Sequence, residues 1–380
     1  MPLSDPPGVA PRETAARRLL GDLSHPHEAF RHLGPNWYAS VMGTAIVANA
    51  GATLPVRIPG LRTFATAVWG LSLVMLVALL AARAVHFVRH PDQARAHLFD
   101  PTVAPFYGCP PMALLAVGAG TLLVGKDVIG ADAALVLSWT LWVLGTALGL
   151  TVAVTVPFLM ITTYELKLRS ASTAWLLPIV APMVSAATGP LLIPHLPAGQ
   201  WREAMLLGCY AMFGLSLMAT LLILPTVWAK LVQHKVGPLH MTPTLWLVLG
   251  PLGQSTTAVN SLGDVCCGAV DAQLASALRM FAIVYGVPVM GFAVMWMVLS
   301  AAVTVSAVAN GMPFALTWWG FTFPVGTCVT GASGLALHTG LSLYSWMAVT
   351  LYALLLGAWA VTATRTAIGA GRGALFLPPR

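Results

Sequence analysis

Seven side chains able to donate a hydrogen bond to an anion lie within strongly apolar stretches: Thr44, Ser185, Gln254, Ser255, Thr256, Thr322 and Thr327. No Asp, Glu, Lys or Arg shares those stretches. Uncharged donors and backbone dipoles at helix breaks can pass an anion without a fixed counter-charge. The competing role of each hydroxyl is a bond to its own helix or to a neighbouring one. Helix breakers recur beside these donors: Gly43, Pro110 with Pro111, Pro178 with Pro182, Pro251 and Pro324. A proline inside a helix removes a backbone bond and bends the rod, and in lipid the freed carbonyl must face protein or a water-filled cavity. Five breakers at one phase suggest five walls of a common pathway. Pro157, Pro225 and Pro288 elsewhere show that proline is also simply frequent in membrane helices.

Other chemistries find little support. His86 and His90 lie one helical turn apart, but beside Arg83 and Arg89 they read as a positive rim rather than a metal site. The five cysteines, Cys266 and Cys267 included, lack ligand spacing. No glycine-rich phosphate loop is present, which argues against ATP-driven transport. No basic run interleaved with aromatics points to nucleic acid. An enzyme or redox subunit would need paired ionisable groups or facing haem-ligand histidines at membrane depth, and neither is evident. No catalytic residue, cofactor or metal is expected.

These residues sit in a chain of 380 residues, 58% hydrophobic and 8% charged, too poor in charge to cover a water-facing surface. The bilayer is its solvent. Ten stretches are long enough to cross about 30 Å of hydrocarbon: 35 to 53, 61 to 88, 102 to 125, 133 to 161, 172 to 193, 203 to 230, 242 to 263, 274 to 304, 312 to 335 and 341 to 364. Lys and Arg fall fourteen on the side of both termini against five on the other, which puts the termini in the cytoplasm. The uncharged connection near Asn310 and Gly311 is the weakest boundary. The expected organisation is a cytoplasmic segment 1–34, a ten-helix transmembrane domain 35–364 and a cytoplasmic tail 365–380. The first thirty residues lack the apolar core of a secretory signal, so no cleavage is expected. Gly145 and Gly149 form a small-xxx-small pair for a helix contact, either between subunits or within the chain. Arg57, Arg62, His195 and Arg202 on the outer side could draw anions or simply be solvated.

The odd-numbered stretches begin near 35, 102, 172, 242 and 312, about seventy residues apart, as expected for five repeated helical hairpins. Each opens with an aromatic residue: Trp37, Phe106, Trp175, Trp246 and Trp318.

The segment Pro35 to Thr44 resembles the first helix of the tellurite-resistance/dicarboxylate transporter family, which includes slow-type anion channels and malate and sulfite transporters. Trp175 to Pro182, Leu249 to Ser255 and Trp318 to Pro324 fit the same family, in order along nearly the whole chain. The resemblance implies an all-α membrane protein of ten helices, arranged as five hairpins around a pseudo-fivefold pore lined by helices 1, 3, 5, 7 and 9. It also implies a homotrimer in the plasma membrane and a phenylalanine on the ninth helix that plugs the pore. Phe323, directly before Pro324, fits that gate, with Phe321 its competitor on another helix face. The expected pore lining is Gly43, Thr44, Pro110, Pro182, Ser185, Pro251, Gln254, Ser255, Thr322, Pro324 and Thr327. The expected substrates are small inorganic or carboxylate anions, conducted passively. A proton-coupled C4-dicarboxylate carrier, or an exporter of sulfite or tellurite, is the alternative. The long tails through which plant members are regulated by kinases are absent.

Overall fold

A computed structural model describes residues 30–376, and among them every regular element is helical. Residues 1–29 of the expected N-terminal segment and 377–380 of the tail lie outside the described residues. Five long helices alternate with short ones. The long ones are α2 (Leu61–Arg89), α6 (Ala131–Thr162), α8 (Gln200–His234), α10 (Ala272–Ala309) and α12 (Ser342–Arg372). The short ones are α1 (Tyr38–Ala52), α4 (Cys109–Gly120), α7 (Leu176–Thr188), α9 (Leu249–Val265) and α11 (Phe323–Thr339). Two small helices complete the set, α3 (Pro91–Phe99), in what the sequence offered only as a connection, and α5 (Lys126–Ile129). Because α12 runs to Arg372, the first part of the expected tail is helical.

Eight helices among the described residues are long and apolar enough to cross a membrane. The first and seventh of the ten expected spans fall short of that standard. Asn36 and Asn49 dilute the first, and α9 carries Gln254, Ser255, Thr256, Thr257, Asn260, Ser261 and Asp264. Both segments are helical and interior, so lipid does not demand that they be apolar.

Each long helix packs on the short helix before it: α2 on α1, α6 on α4, α8 on α7, α10 on α9 and α12 on α11. The short helices contact one another in order, α1 with α4, α4 with α7, α7 with α9, α9 with α11, and α11 returns to α1. Bonds cross these contacts. The indoles of Trp69, Trp246, Trp319 and Trp359 donate to Thr121, Thr304, Thr366 and Thr44 hydroxyls at 3.0–3.1 Å. Those of Trp142 and Trp296 donate to the carbonyls of Ser185 and Leu245. Such bonds matter where lipid removes the hydrophobic drive between helices. Gly145 faces Leu115 and the Pro111 carbonyl, and Gly149 faces Ala181, so that motif packs α6 within its own chain.

The helix breaks lie elsewhere than mid-helix. Each short helix is entered through a 3-10 segment, Pro35–Trp37, Ala104–Gly108, Thr173–Trp175, Leu239–Val248 or Leu316–Phe321. Each of these segments holds one of the five recurrent aromatics. Pro110, Pro111, Pro178, Pro251 and Pro324 then occupy the first turn of the following α-helix, where the missing N–H costs nothing. Among these breakers only Gly43 and Pro182 are interior to their helices. The expected bend is therefore a change from 3-10 to α at the entry.

Candidate functional site: an axial constriction and vestibule

Two cavities lie within the ring of short helices, and every one of the five contributes to both. The smaller, about 10 Å³, is walled by Met42 of α1, Met112 of α4, Leu177 and Val180 of α7, Leu247 and Gly250, and Phe323 and Pro324 of α11. That is room for about one water at most. Its wall is apolar. The larger, about 140 Å³, is lined by Asn49 of α1 and its C-cap Thr53, Ala119 of α4 and Thr188 of α7, with Gln254, Thr257, Asn260, Ser261 and Asp264 of α9 and Thr330 and Ser333 of α11.

The two cavities share helix faces. On α9 the lining positions are 250, 254, 257, 260, 261 and 264, and on α1 and its C-cap they are 42, 46, 49 and 53, a set that recurs every three or four residues along one side of each helix. Seven residues separate Phe323 from Thr330, about 10 Å along a helix at 1.5 Å per residue. The apolar constriction and the polar vestibule are thus successive levels of one axis, with the vestibule toward the C-terminal ends of the short helices.

Of the residues named from sequence, Phe323, Pro324 and Gln254 line these cavities. Phe323 is only 2% exposed. Phe321 lies away from them, edge-on to Trp246 and Trp318 with centroids at 5.5 and 5.8 Å. The other expected lining residues face neighbours. Gly43 is pressed by Thr322 and Trp319, where any Cβ would collide. The Thr44 hydroxyl accepts the Trp359 indole and donates to the Ser40 carbonyl. Ser185 accepts a bond from Thr146 at 2.9 Å. Ser255 and Thr256 donate to the Leu252 carbonyl, Thr322 to that of Trp319, and Thr327 to those of Pro324 and Leu249. Pro110 is half-buried, and Pro182 and Pro251 are buried within the helix packing.

Thr257, Ser261, Asp264, Thr330 and Ser333 were missed. Their signal is the recurrence of polar residues every three or four positions past the breaker, running down both helices. Asp264 also corrects the expectation of a carboxylate-free set of inner helices: α9 continues to Val265, two residues past the sequence boundary at 263. Within the vestibule Thr257 and Thr330 exchange a hydroxyl bond of 2.6 Å. Gln254 keeps its side-chain oxygen buried and without a protein partner.

At the opposite end, Arg83 is buried and donates to the Leu33 carbonyl, with its guanidinium 4.6 Å from the Phe87 ring centre. His86 Nδ1 donates to the Phe30 carbonyl at 2.8 Å, and its ring stacks on His97 at 5.4 Å. Burial, helped by the positive charge of Arg83, pushes the His97 imidazole down to about 4. No group of three or more His, Cys, Asp or Glu suited to a metal occurs among the described residues. On the other rim Arg62 grips Asp127 with two bonds, at 2.7 and 2.9 Å.

The profile of the family described as voltage-dependent anion channel matches residues 32–367, nearly the whole described chain. The chain belongs to this family. It is similar to an uncharacterized transporter of Methanocaldococcus jannaschii, 26% identical over 350 residues that cover 92% of this chain and 96% of the relative. It is also similar to proteins named sulfite efflux pump SSU1. The one from Trichophyton rubrum is 29% identical over 80% of this chain and 82% of its own length, and the one from Candida albicans 21% identical over 79% and 65%. The family is one of membrane transporters and channels for anions, in agreement with the multiple apolar helices and with the resemblance first read from Pro35 to Thr44 and Trp318 to Pro324.

Proposed function

We propose that the chain crosses the membrane ten times as five hairpins and conducts small anions along the axis enclosed by α1, α4, α7, α9 and α11. The single observation that carries this reading is the pair of coaxial cavities to which all five short helices contribute, apolar at Phe323 and lined with hydroxyls and amides beyond it. The closed order of contacts among the short helices supports the pseudo-fivefold arrangement. Polar groups such as the Ser261 hydroxyl replace part of an anion's hydration, and a wall whose one carboxylate, Asp264, is paired with His338 lets it leave again. Phe323 closes the narrow level, where an apolar neck excludes water as well as ions. The remaining expected residues, Gly43, Thr44, Pro110, Pro182, Ser185, Pro251, Ser255, Thr322 and Thr327, act behind the lining by packing and bonding its helices against one another. In this reading both termini lie in the cytoplasm of a plasma-membrane protein assembled as a homotrimer. Reporter fusions at Lys235, cytoplasmic, and Arg202, outside, test the orientation.

Sulfite is the favoured physiological substrate, because several relatives carry the name sulfite efflux pump. The test is a flux panel of chloride, nitrate, sulfite, malate and tellurite with the full chain in liposomes. Downhill flux that follows the electrochemical gradient is expected, sulfite included. Uphill accumulation driven by a proton gradient alone replaces the channel reading with the coupled-carrier alternative.

A further inference from the structure

Asp264, in the last turn of α9, lines the vestibule with its side chain 55% exposed, and His338, in the last turn of α11, stands behind it at 12%. The imidazole Nε2 is 3.2 Å from a carboxylate oxygen. Its Nδ1 is 2.6 Å from Asn260 Oδ1 and 3.2 Å from the Gly334 carbonyl. Asn260 is fixed in that orientation because its Nδ2 donates to the Thr256 carbonyl at 2.8 Å. Both atoms facing Nδ1 are therefore acceptors, so Nδ1 carries a hydrogen. Nε2 attracts the carboxylate only if it carries one as well, since a bare ring nitrogen and a carboxylate oxygen are both acceptors. The arrangement is that of an imidazolium held against a carboxylate.

We propose that Asp264 and His338 form a proton-binding pair in the vestibule wall whose net charge sets how readily anions enter. The proposal rests on the reading of the axis as an anion path. With the proton bound, the pair is neutral. Without it, the Nδ1 hydrogen still points to Asn260 Oδ1 and the imidazole no longer balances the Asp264 charge. The other groups facing the pair are few. Arg279 of α10 and the Cys266 thiol both donate to the Gly263 carbonyl beside it, at 3.4 and 3.0 Å. Tyr285 lies more than a turn further along α10, and Tyr38 of α1 lies at that helix's opposite end. Arg365 and Arg372 of α12 are more than about 30 Å down their helix at 1.5 Å per residue. His338 works through Asp264 and is a positioning residue.

One added negative charge at vestibule distance weakens anion entry about tenfold at an intermediate dielectric. The probe is nitrate, whose charge does not change with pH, and the experiment is flux into liposomes carrying the full chain between pH 5 and pH 9. The half-saturating nitrate concentration of the natural protein is expected to rise about tenfold across that range. His338→Gln should show the weak, alkaline value at every pH. Asp264→Asn should bind more tightly than the natural protein throughout, and its alkaline value should match the natural protein's acid value. The double variant should match that same value and be flat. The two Asp264→Asn variants keep the test open if His338→Gln fails to fold. A pair that merely clasps two helices would alter thermal stability and leave all four profiles superimposable, which overturns the proposal. Absence of nitrate and chloride flux at every pH from both the natural protein and Phe323→Ala, whose neck is open, overturns the conduction reading itself and the pair's role with it.

Discussion

Truncating Phe323 to Ala tests the constriction most directly. The ring is buried against Met42, Met112, Leu177, Val180 and Leu247 around a space of about 10 Å³. Removing it adds on the order of 100 Å³, room for about three waters at roughly 30 Å³ each. A neck that held at most one water then wets. Lowering the entry barrier by only about 1.4 kcal/mol raises flux tenfold, so at least that increase is expected in single-anion liposome flux. A Phe-to-Ala change in a closed apolar core costs about 3–5 kcal/mol. Here the new space opens toward the vestibule and fills, so the cost should fall at or below the low end of that range. Because the ring is 2% exposed, some loss of thermal stability accompanies the gain in flux. Phe323→Leu, which keeps apolar bulk, should stay nearly closed. Phe321→Ala forfeits two aromatic contacts worth about 0.5–1.5 kcal/mol each and should lose stability without gaining flux. Unchanged flux in Phe323→Ala, or a rise confined to Phe321→Ala, refutes the assignment.

Two glycines three residues apart on α9 should behave oppositely. A Cβ on Gly253 would come within 2.5 Å of Cys328 and Thr327 backbone atoms, so Gly253→Ala should cost about 1–3 kcal/mol or more in a thermal melt of the purified protein. Gly250 has nothing within 4 Å and lines the constriction, so Gly250→Ala should melt normally and lower the flux of a Phe323→Ala background. The third prediction concerns acid. His97 titrates near 4 in the folded chain against an ordinary 6.5, so the unfolded chain takes up that proton first as pH falls. Its contribution to stability is intact above pH 6.5 and is lost between there and pH 4. The melting temperature of His97→Gln should fall less steeply than that of the natural protein over that window, and an identical slope rejects the assignment.

The hairpin repeat was legible because the long helices face lipid and must be apolar for their whole length. Their most apolar windows are only 28% buried within the chain, against 67–83% for the short helices among the apolar spans. Helices shielded from lipid are free of that demand. This is why α1 and α9, among the helices that line the axis, read most weakly. The entry aromatics and prolines were visible as a phase, but their meaning as 3-10 entries depends on backbone geometry that a residue pattern does not carry. Choosing site residues by nearness to a breaker found Phe323, Pro324 and Gln254. It also took Thr44, Ser185 and Thr327, whose hydroxyls serve helix packing. Asp264 was lost to a span boundary drawn one residue too early.

The return of α11 to α1 joins the first part of the chain to the last. Thr44 receives its bond from Trp359, and the Val47 carbonyl receives one from Tyr352. During synthesis at about 5–20 residues per second, the stretch between Ala52 and Phe323 takes roughly 15 to 55 seconds to emerge. Throughout that interval α1, short and bearing Asn49, lacks one of its two flanking walls. The seam is the last joint to be made and the one an assembly intermediate leaves open. Insertion factors that shield polar helices would therefore find their client here, at the first α-helix of the described residues.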